Sequence, residues 1–82
     1  MSEVKYDYSK LRGKIKEKYG VQSVFAKDLG ISHVSLSARL NNKIGWNQTE
    51  MLRSCDLLDI PDEELRSYFF ARQVQLTEQR TN

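Results

Sequence analysis

The apolar residues of this chain recur at helical spacing in short runs that glycine, asparagine or proline separates. In the first run they lie three and four positions apart, as on one buried face of a helix. These residues are Tyr8, Leu11, Ile15 and Tyr19. Asp7 precedes the run as a candidate N-cap, and Gly20 follows it as a candidate helix end. The pattern therefore predicts a first helix between Asp7 and Gly20.

The next two runs predict a pair of short helices joined by a turn. On each side of Gly30, two large apolar residues lie four positions apart on one helix face. The pairs are Phe25 with Leu29 and Leu36 with Leu40. Gly30 can adopt a positive φ, which ends the first helix of the pair, and Ser32 is placed to cap the second. We expect these helices over about residues 22–29 and 33–41.

Two further helices are predicted in the second half of the chain. Asn47 and Glu50 have the spacing of a capping box, so a fourth helix should begin near Gln48. Its expected inner face comprises Met51, Leu52, Cys55 and Leu58. Pro61 suits the first turn of a fifth helix. Its expected inward residues are Leu65, Tyr68 and Phe69.

The last dozen residues leave three structures open. Val74 and Leu76 alternate with polar residues as in a short strand, which needs a partner, and the simplest partner is the same strand of a second copy. A helix that continues through Arg72 also fits the spacing, and so does disorder. We therefore divide the chain into a domain of residues 1–70 and a tail of residues 71–82, which is a dimerisation strand or a disordered segment.

The run from Gln22 to Asn41 resembles the helix-turn-helix of the phage Cro and repressor family. The shared residues are Gln22, Ala26, Gly30, Ile31, Ser32 and Leu36, followed by the ending Leu40-Asn41-Asn42-Lys43. The resemblance covers about residues 6–70. It implies an all-α, compact five-helix domain of the lambda-repressor type. It also implies a transcriptional regulator that binds double-stranded DNA, either a phage or prophage repressor of the Cro kind or an antitoxin or host regulator of the same fold.

Three positions depart from the family pattern. Arg39 stands where the family usually places an apolar or aromatic residue, so either the helix pair seals less tightly against the core or the arginine stem lies along apolar surface with its head in water. Asn42 replaces the customary glycine, although asparagine tolerates a positive φ. Val21 lies near an N-cap position, where serine or threonine is expected.

In the family, the second motif helix enters the major groove and its first residues face base edges. Carried over by position, the candidate base readers are His33, Val34, Ser35 and Ser37. His33 can donate a hydrogen bond to guanine, and Val34 can contact a thymine methyl group. The candidate phosphate contacts are Gln22, Ser32, Lys43, Asn47, Lys27, Lys10 and Lys14.

Charge is distributed unevenly along the sequence. The net charge is only +2, but residues 1–43 hold nine Lys or Arg against four Asp or Glu, whereas residues 44–82 hold four against seven. This asymmetry fits one face that approaches phosphate, or else a solvated face of the first helix.

Because one DNA-binding domain of this size discriminates few base pairs, we expect a homodimer, at least on DNA, bound to a pseudo-palindromic operator.

Other classes of function have weaker support in the sequence. The chain has one cysteine, Cys55, which lies on a predicted core stripe, and no repeated Cys/His spacing typical of zinc sites. No catalytic spacing and no phosphate-binding loop is present, so we expect no enzyme activity, cofactor, metal or small-molecule ligand. We expect a cytoplasmic protein without membrane contact. The alternative function is a helical adaptor that binds another protein through Tyr68, Phe69, Phe70 and the tail.

Overall fold

Five α-helices form most of the regular structure in residues 5–73, the part of the chain that this computed structural model describes. The helices are α1 (Ser9–Tyr19), α2 (Gln22–Leu29), α3 (His33–Leu40), α4 (Gln48–Leu58) and α5 (Leu65–Phe69). A 3₁₀ turn, Asp62–Glu64, precedes α5. The predicted all-α, five-helix class is confirmed, since residues 5–73 contain no strand beyond one isolated antiparallel bridge.

The core lies where the five helices meet, with α2 at its centre. α2 packs against α1, α3 and α4, whereas α1, α4 and α5 pack against one another. The core residues from the helices are Leu11, Ile15, Phe25, Ala26, Leu29, Leu36, Leu40, Cys55, Leu58, Tyr68 and Phe69. Each large apolar side chain buried in this way contributes about 1.5–3 kcal/mol. Because α3 packs closely against α2 alone among the helices, one face of α3 stays open.

The ends of the first three helices follow the local signals. Gly20 and Gly30 have φ values of 82° and 91° and end α1 and α2. Ser32 caps α3, because its Oγ accepts a hydrogen bond from the Ser35 amide at 3.0 Å. At the start of α1, the N-cap position belongs to Tyr8, although the Asp7 carboxylate does accept the Ser9 amide at 2.9 Å. α3 ends at Leu40, one residue earlier than expected.

The capping box at the start of α4 is confirmed, because Asn47 Oδ1 accepts the Glu50 amide at 2.8 Å and Glu50 Oε1 accepts the Asn47 amide at 3.1 Å. One inner residue was predicted wrongly. Leu52 is 46% exposed, because the buried side of α4 runs through Ser54, Cys55 and Leu58 and places Leu52 toward solvent.

The fifth helix starts later than predicted. Pro61 precedes the 3₁₀ turn, in which the Glu64 amide donates to the Pro61 carbonyl at 2.9 Å, so α-helical geometry begins only at Leu65. Tyr68 and Phe69 are buried, as expected. Leu65 is half-buried at the edge of the core.

The segment after α5 pairs with the start of the chain. The Asp7 amide donates to the Ala71 carbonyl at 2.6 Å, and the Gln73 amide donates to the Lys5 carbonyl at 2.9 Å, so that Tyr6 and Arg72 form an antiparallel bridge. Helical continuation through Arg72 is therefore wrong. For residues 71–73 the pairing partner is the chain's own N-terminal segment, and the expected strand at Val74 and Leu76 lies outside the described residues.

Asn42 joins the loop after α3 to that N-terminal segment. It has a φ of 64°, which confirms the expected left-handed conformation. Its Oδ1 accepts the Tyr6 amide at 2.9 Å, and its Nδ2 donates to the Tyr6 carbonyl at 3.0 Å. The side chain thus pairs with the backbone of Tyr6 as a neighbouring strand would.

Two variants separate the roles of Asn42. Asn42→Gly keeps the positive φ accessible but removes both hydrogen bonds, so it should lower the free energy of unfolding by about 1–2 kcal/mol. Asn42→Ala should lower it by about 1 kcal/mol more, because alanine resists the left-handed conformation. Urea unfolding of the two variants measures both effects. Equal losses for glycine and alanine would contradict the backbone argument.

Candidate nucleic-acid interface

The outer face of α3 forms an open concavity of about 340 Å³. Its lining residues are His33, Val34, Ser37, Ala38, Asn41 and Lys43. The fold thus brings together four of the predicted DNA-contacting residues, and it adds Ala38 and Asn41, which the sequence analysis missed. Both lie four positions beyond a predicted base reader, so helical spacing was the signal that could have identified them.

The apolar side of α3 determines which residues face outward. Leu36 and Leu40 are buried against α2, so the opposite side of the helix points to solvent. Val34, in the first turn of α3, is 80% exposed. An exposed apolar side chain on this face is available for contact with a ligand.

Arg12 of α1 holds the C-terminal end of α3. Its Nη2 donates to the Leu40 carbonyl and to Asn41 Oδ1, both at 3.0 Å. Asn41 Nδ2 in turn donates to Ser37 Oγ at 3.2 Å. A positive charge at a helix C-terminus is favourable because the last carbonyls carry partial negative charge. Arg12 therefore stabilises the part of α3 that borders the concavity.

Arg39 turns away from the concavity and pairs with Glu50 of α4. Its Nε and Nη2 donate to the two carboxylate oxygens at 2.9 and 2.8 Å, and its Nη1 donates to the Ser35 carbonyl at 2.9 Å. The side chains are only 13% and 14% exposed. The expectation that the Arg39 head lies in water is wrong, because Glu50 accepts the guanidinium in a nearly buried site.

The Arg39 hydrogen bonds lower the pKa of the Glu50 carboxyl below its ordinary value, against the opposing effect of burial. The carboxylate also accepts the Asn47 amide, which lowers the pKa further. Glu50 is therefore held in its charged form, as a buried arginine partner requires.

Several other predicted contact residues are half-buried or already hydrogen-bonded within the fold. Ser35 is half-buried, with its amide bonded to Ser32 and its carbonyl to Arg39. Asn47 is occupied by the capping box. Gln22 is the first residue of α2 and is half-buried. Their contacts with DNA remain predictions.

The predicted lysines divide into two groups. Lys27 is exposed on α2, and Lys43 lines the concavity. Lys10 instead lies beside α5, with its Nζ 3.2 Å from Ser67 Oγ and 4.6 Å from the centre of the Tyr68 ring. Lys14 is 3.4 Å from Glu17 on the same helix.

The α1 face that carries Lys10 and Lys14 continues to Lys18, which pairs with Asp59 at 2.6 Å. This ion pair raises the pKa of Lys18 and lowers that of Asp59. The structure therefore places these three lysines toward the end of α4 and toward α5, and it does not bring Lys10 or Lys14 to the concavity on α3.

The described residues give little support to other kinds of site. Within residues 5–73 no group of three or more His, Cys, Asp or Glu is arranged to hold a metal ion. Cys55 is buried as predicted, and burial raises the pKa of its thiol. Among the helices of this part of the chain, none has the length and apolar character needed to cross a membrane.

Residues 4–72 match the protein family described as protein of unknown function, DUF739. The chain is also similar to the modulator of repression (MOR) of the temperate bacteriophage TP901-1 from Lactococcus lactis, which has a solution structure. The two are 40% identical over 85% of this chain and 95% of that chain, with a TM-score of 0.72. No curated protein shows significant similarity. The chain is thus related to a small phage regulatory protein.

Acid should weaken the fold partly through Glu50. Because its pKa is lowered in the folded state from an ordinary value of 4.5, the stabilisation is complete above that value and is lost as the pH falls through the folded-state pKa. The Glu50→Gln variant should not show this part of the decrease in stability at low pH. At neutral pH its free energy of unfolding should be about 1–3 kcal/mol lower than that of the unmodified protein. Urea unfolding at a series of pH values measures the difference. If the free energy of unfolding decreased equally in the unmodified protein and in Glu50→Gln as the pH fell below the ordinary pKa of Glu50, the assignment to Glu50 would be contradicted.

Proposed function

Since the chain belongs to the DUF739 protein family, whose description assigns no function, we propose one from the chain's own surface. It is a phage regulator that binds double-stranded DNA in a sequence-specific way through the outer face of α3. The concavity on that face carries the proposal, because its lining residues include a histidine, a lysine, two hydrogen-bonding side chains and no acid.

The dimensions and chemistry of α3 suit the major groove. That groove is about 12 Å wide and admits one helix. His33 and Val34 stand in the first turn of α3, where base readers lie in helices that enter the groove. His33 donates a hydrogen bond to a purine, and Val34 contacts a thymine methyl group. Each contact discriminates only modestly, because neither is bidentate.

Phosphate contacts complete the interface from residues around α3. Lys43 at the end of α3 and Lys27 on α2 supply the positive charge, and Gln22 and Ser32 supply hydrogen bonds at helix starts. Lys10 and Lys14 are weaker candidates, because Lys10 lies beside Ser67 of α5 and Lys14 pairs with Glu17 on its own helix. With so few cations, the affinity should depend on salt less steeply than in strongly basic repressors.

Two copies on one operator would supply the missing specificity. A pseudo-palindrome with half-sites about one helical turn apart presents two equivalent grooves on one side of the duplex. Occupation of such an operator blocks transcription without a cofactor. The related phage protein is called a modulator of repression, and a small operator-binding protein is one kind of molecule that fits this description.

A second candidate function is binding to another regulatory protein. An apolar groove lies between the N-terminal segment, the loop before α4, α4 itself and the end of α5. It consists of two adjoining cavities of about 330 and 380 Å³ that share Met51 and Phe70. Its other lining residues are Tyr6, Tyr8, Asn42, Gly45, Trp46, Gln48, Leu52, Leu65 and Phe69. None of these residues is charged. Leu52 and Phe70 are 46% and 41% exposed, as suits a surface that binds apolar side chains of a partner.

Fewer aromatic residues are accessible to a partner than the adaptor hypothesis assumes. Tyr68 and Phe69 are buried in the core, and Phe69 only borders the groove, so Phe70 is the most exposed of the three and offers a partner the largest contact. A protein that docks here should bind with little dependence on salt, in contrast to DNA.

Two substitutions should separate base reading from phosphate binding. His33→Ala should reduce the preference for the selected sequence by a free energy of about 1 kcal/mol or less. Lys43→Ala should weaken binding to all duplexes equally and reduce the salt slope by about one. Selection from random duplex DNA, followed by fluorescence anisotropy at several salt concentrations, measures both. The selection should recover a two-fold symmetric motif.

Two results would count against this assignment. Equal effects of both variants on specificity would contradict the division into base readers and phosphate contacts. Failure to enrich any sequence at low and at physiological salt would remove DNA binding and favour the second candidate.

The second candidate predicts a different result for Phe70→Ser. This change should abolish binding to a purified phage repressor, because it removes the exposed aromatic ring of the groove, and it should leave DNA binding unchanged. Val24→Ser is the matched control, since Val24 is 45% exposed on α2, outside the groove. Titration calorimetry at low and high salt measures the effect. Equal losses in both variants would contradict a role for the groove.

A further inference from the structure

The pair Arg39 and Glu50 joins α3 to α4 directly. The close helix packing of α3 is with α2, whereas α4 packs against α1, α2 and α5. Across the gap between α3 and α4, the guanidinium and the carboxylate meet in a bidentate contact of 2.8–2.9 Å. The angle between these two helices therefore depends on side-chain hydrogen bonds as well as on apolar packing.

Each partner of the pair is also bound to backbone. Arg39 donates to the carbonyl of Ser35, and Glu50 accepts the amide of Asn47. Ser35 directly follows His33 and Val34 in α3, and Asn47 is the N-cap of α4. The network thus connects the backbone that carries the base-reading residues to the start of the next helix.

Stability alone gives a weak reason for such a pair. Removing two charges from water costs free energy that their attraction often fails to offset, and apolar replacements of buried pairs are frequently as stable. A planar guanidinium that binds both carboxylate oxygens instead restricts distance and orientation at once. The pair is therefore better suited to hold a helix at a defined angle than to strengthen the fold.

We propose that Arg39 and Glu50 are positioning residues for recognition, which hold α3 at the angle where His33 and Val34 face base edges, although neither touches DNA. The inference rests on the proposed DNA binding. It adds a determinant of specificity that lies outside the contact surface and that a list of DNA-facing residues would omit.

The decisive variant replaces both charges at once, as Arg39→Met with Glu50→Gln. Methionine preserves the length of an apolar stem, and glutamine can still complete a capping box, so no buried charge is left without a partner. The control replaces the ion pair Lys18–Asp59 in the same manner, as Lys18→Met with Asp59→Asn. That pair also links distant segments, but it lies away from α3.

The measured quantity is the ratio of affinities for the selected operator and a scrambled duplex. In the Arg39/Glu50 variant this ratio should fall about tenfold, the equivalent of about one specific base contact. The affinity for scrambled DNA and the salt slope should stay unchanged, and the thermal midpoint should shift by no more than a few degrees. The Lys18/Asp59 variant should retain the ratio of the unmodified protein.

A second variant covers the case in which the double substitution fails to fold. Arg39→Lys keeps both charges, but an ammonium cannot serve the two Glu50 oxygens and the Ser35 carbonyl with the geometry of a planar fork. Its ratio should fall as well. A wild-type ratio in either folded variant would overturn the proposal.

Hydrogen exchange of the free protein distinguishes failure of this inference from failure of the proposed function. If the unmodified protein prefers no DNA sequence, the proposed function fails. The exchange rates of the α3 backbone amides then test, without DNA, whether the pair restrains α3. Faster exchange in α3 of the Arg39/Glu50 variant, and not of the Lys18/Asp59 variant, supports the positioning role. Unchanged exchange in α3 overturns it.

Discussion

The structure depends on the burial of α2 between three other helices. Phe25 and Ala26 are almost completely inaccessible, and the small side chain of Ala26 lets neighbouring helices approach closely. α3 uses its apolar side to cover α2, so its other side must face solvent. Contacts of α3 with α1 and α4 include side-chain hydrogen bonds.

Those polar restraints surround the second half of α3 and the loop that follows it. Arg12 binds the Leu40 carbonyl, Asn42 pairs with the backbone of Tyr6, and Arg39 joins the Ser35 carbonyl to Glu50. Carbonyls near a helix end lack partners within the helix, so side chains from other segments can satisfy them. Because hydrogen bonds are directional, these contacts define the orientation of α3 more narrowly than apolar packing does.

Folding also redistributes the charges that the sequence separates. The basic first half suggested a cationic face, yet Lys18 pairs with Asp59 from the acidic half, and Lys10 lies beside Tyr68 of α5. The surface around α3 is consequently less basic than the sequence indicated. Elsewhere, the N-terminal segment, the loop before α4, α4 and the end of α5 form an uncharged groove. The chain thus offers two surfaces of different chemistry, which is why salt should weaken binding to DNA but have little effect on binding to a protein partner.

The sequence by itself determined the number and order of the helices and several of their ends, because Gly30, Ser32 and the Asn47–Glu50 box act through hydrogen bonds within a few residues of each other. The end of α3 and the start of α5 differ from the local signals. Helical spacing also placed His33, Val34 and Ser37 on the outer side of α3, whereas Lys43 was predicted from the family resemblance; the concavity contains all four. Only the tertiary structure decided the partner of Arg39, the exposure of Leu52 and the direction of Lys10. These depend on how each helix is rotated against segments distant in the chain, and local patterns carry no information about that rotation.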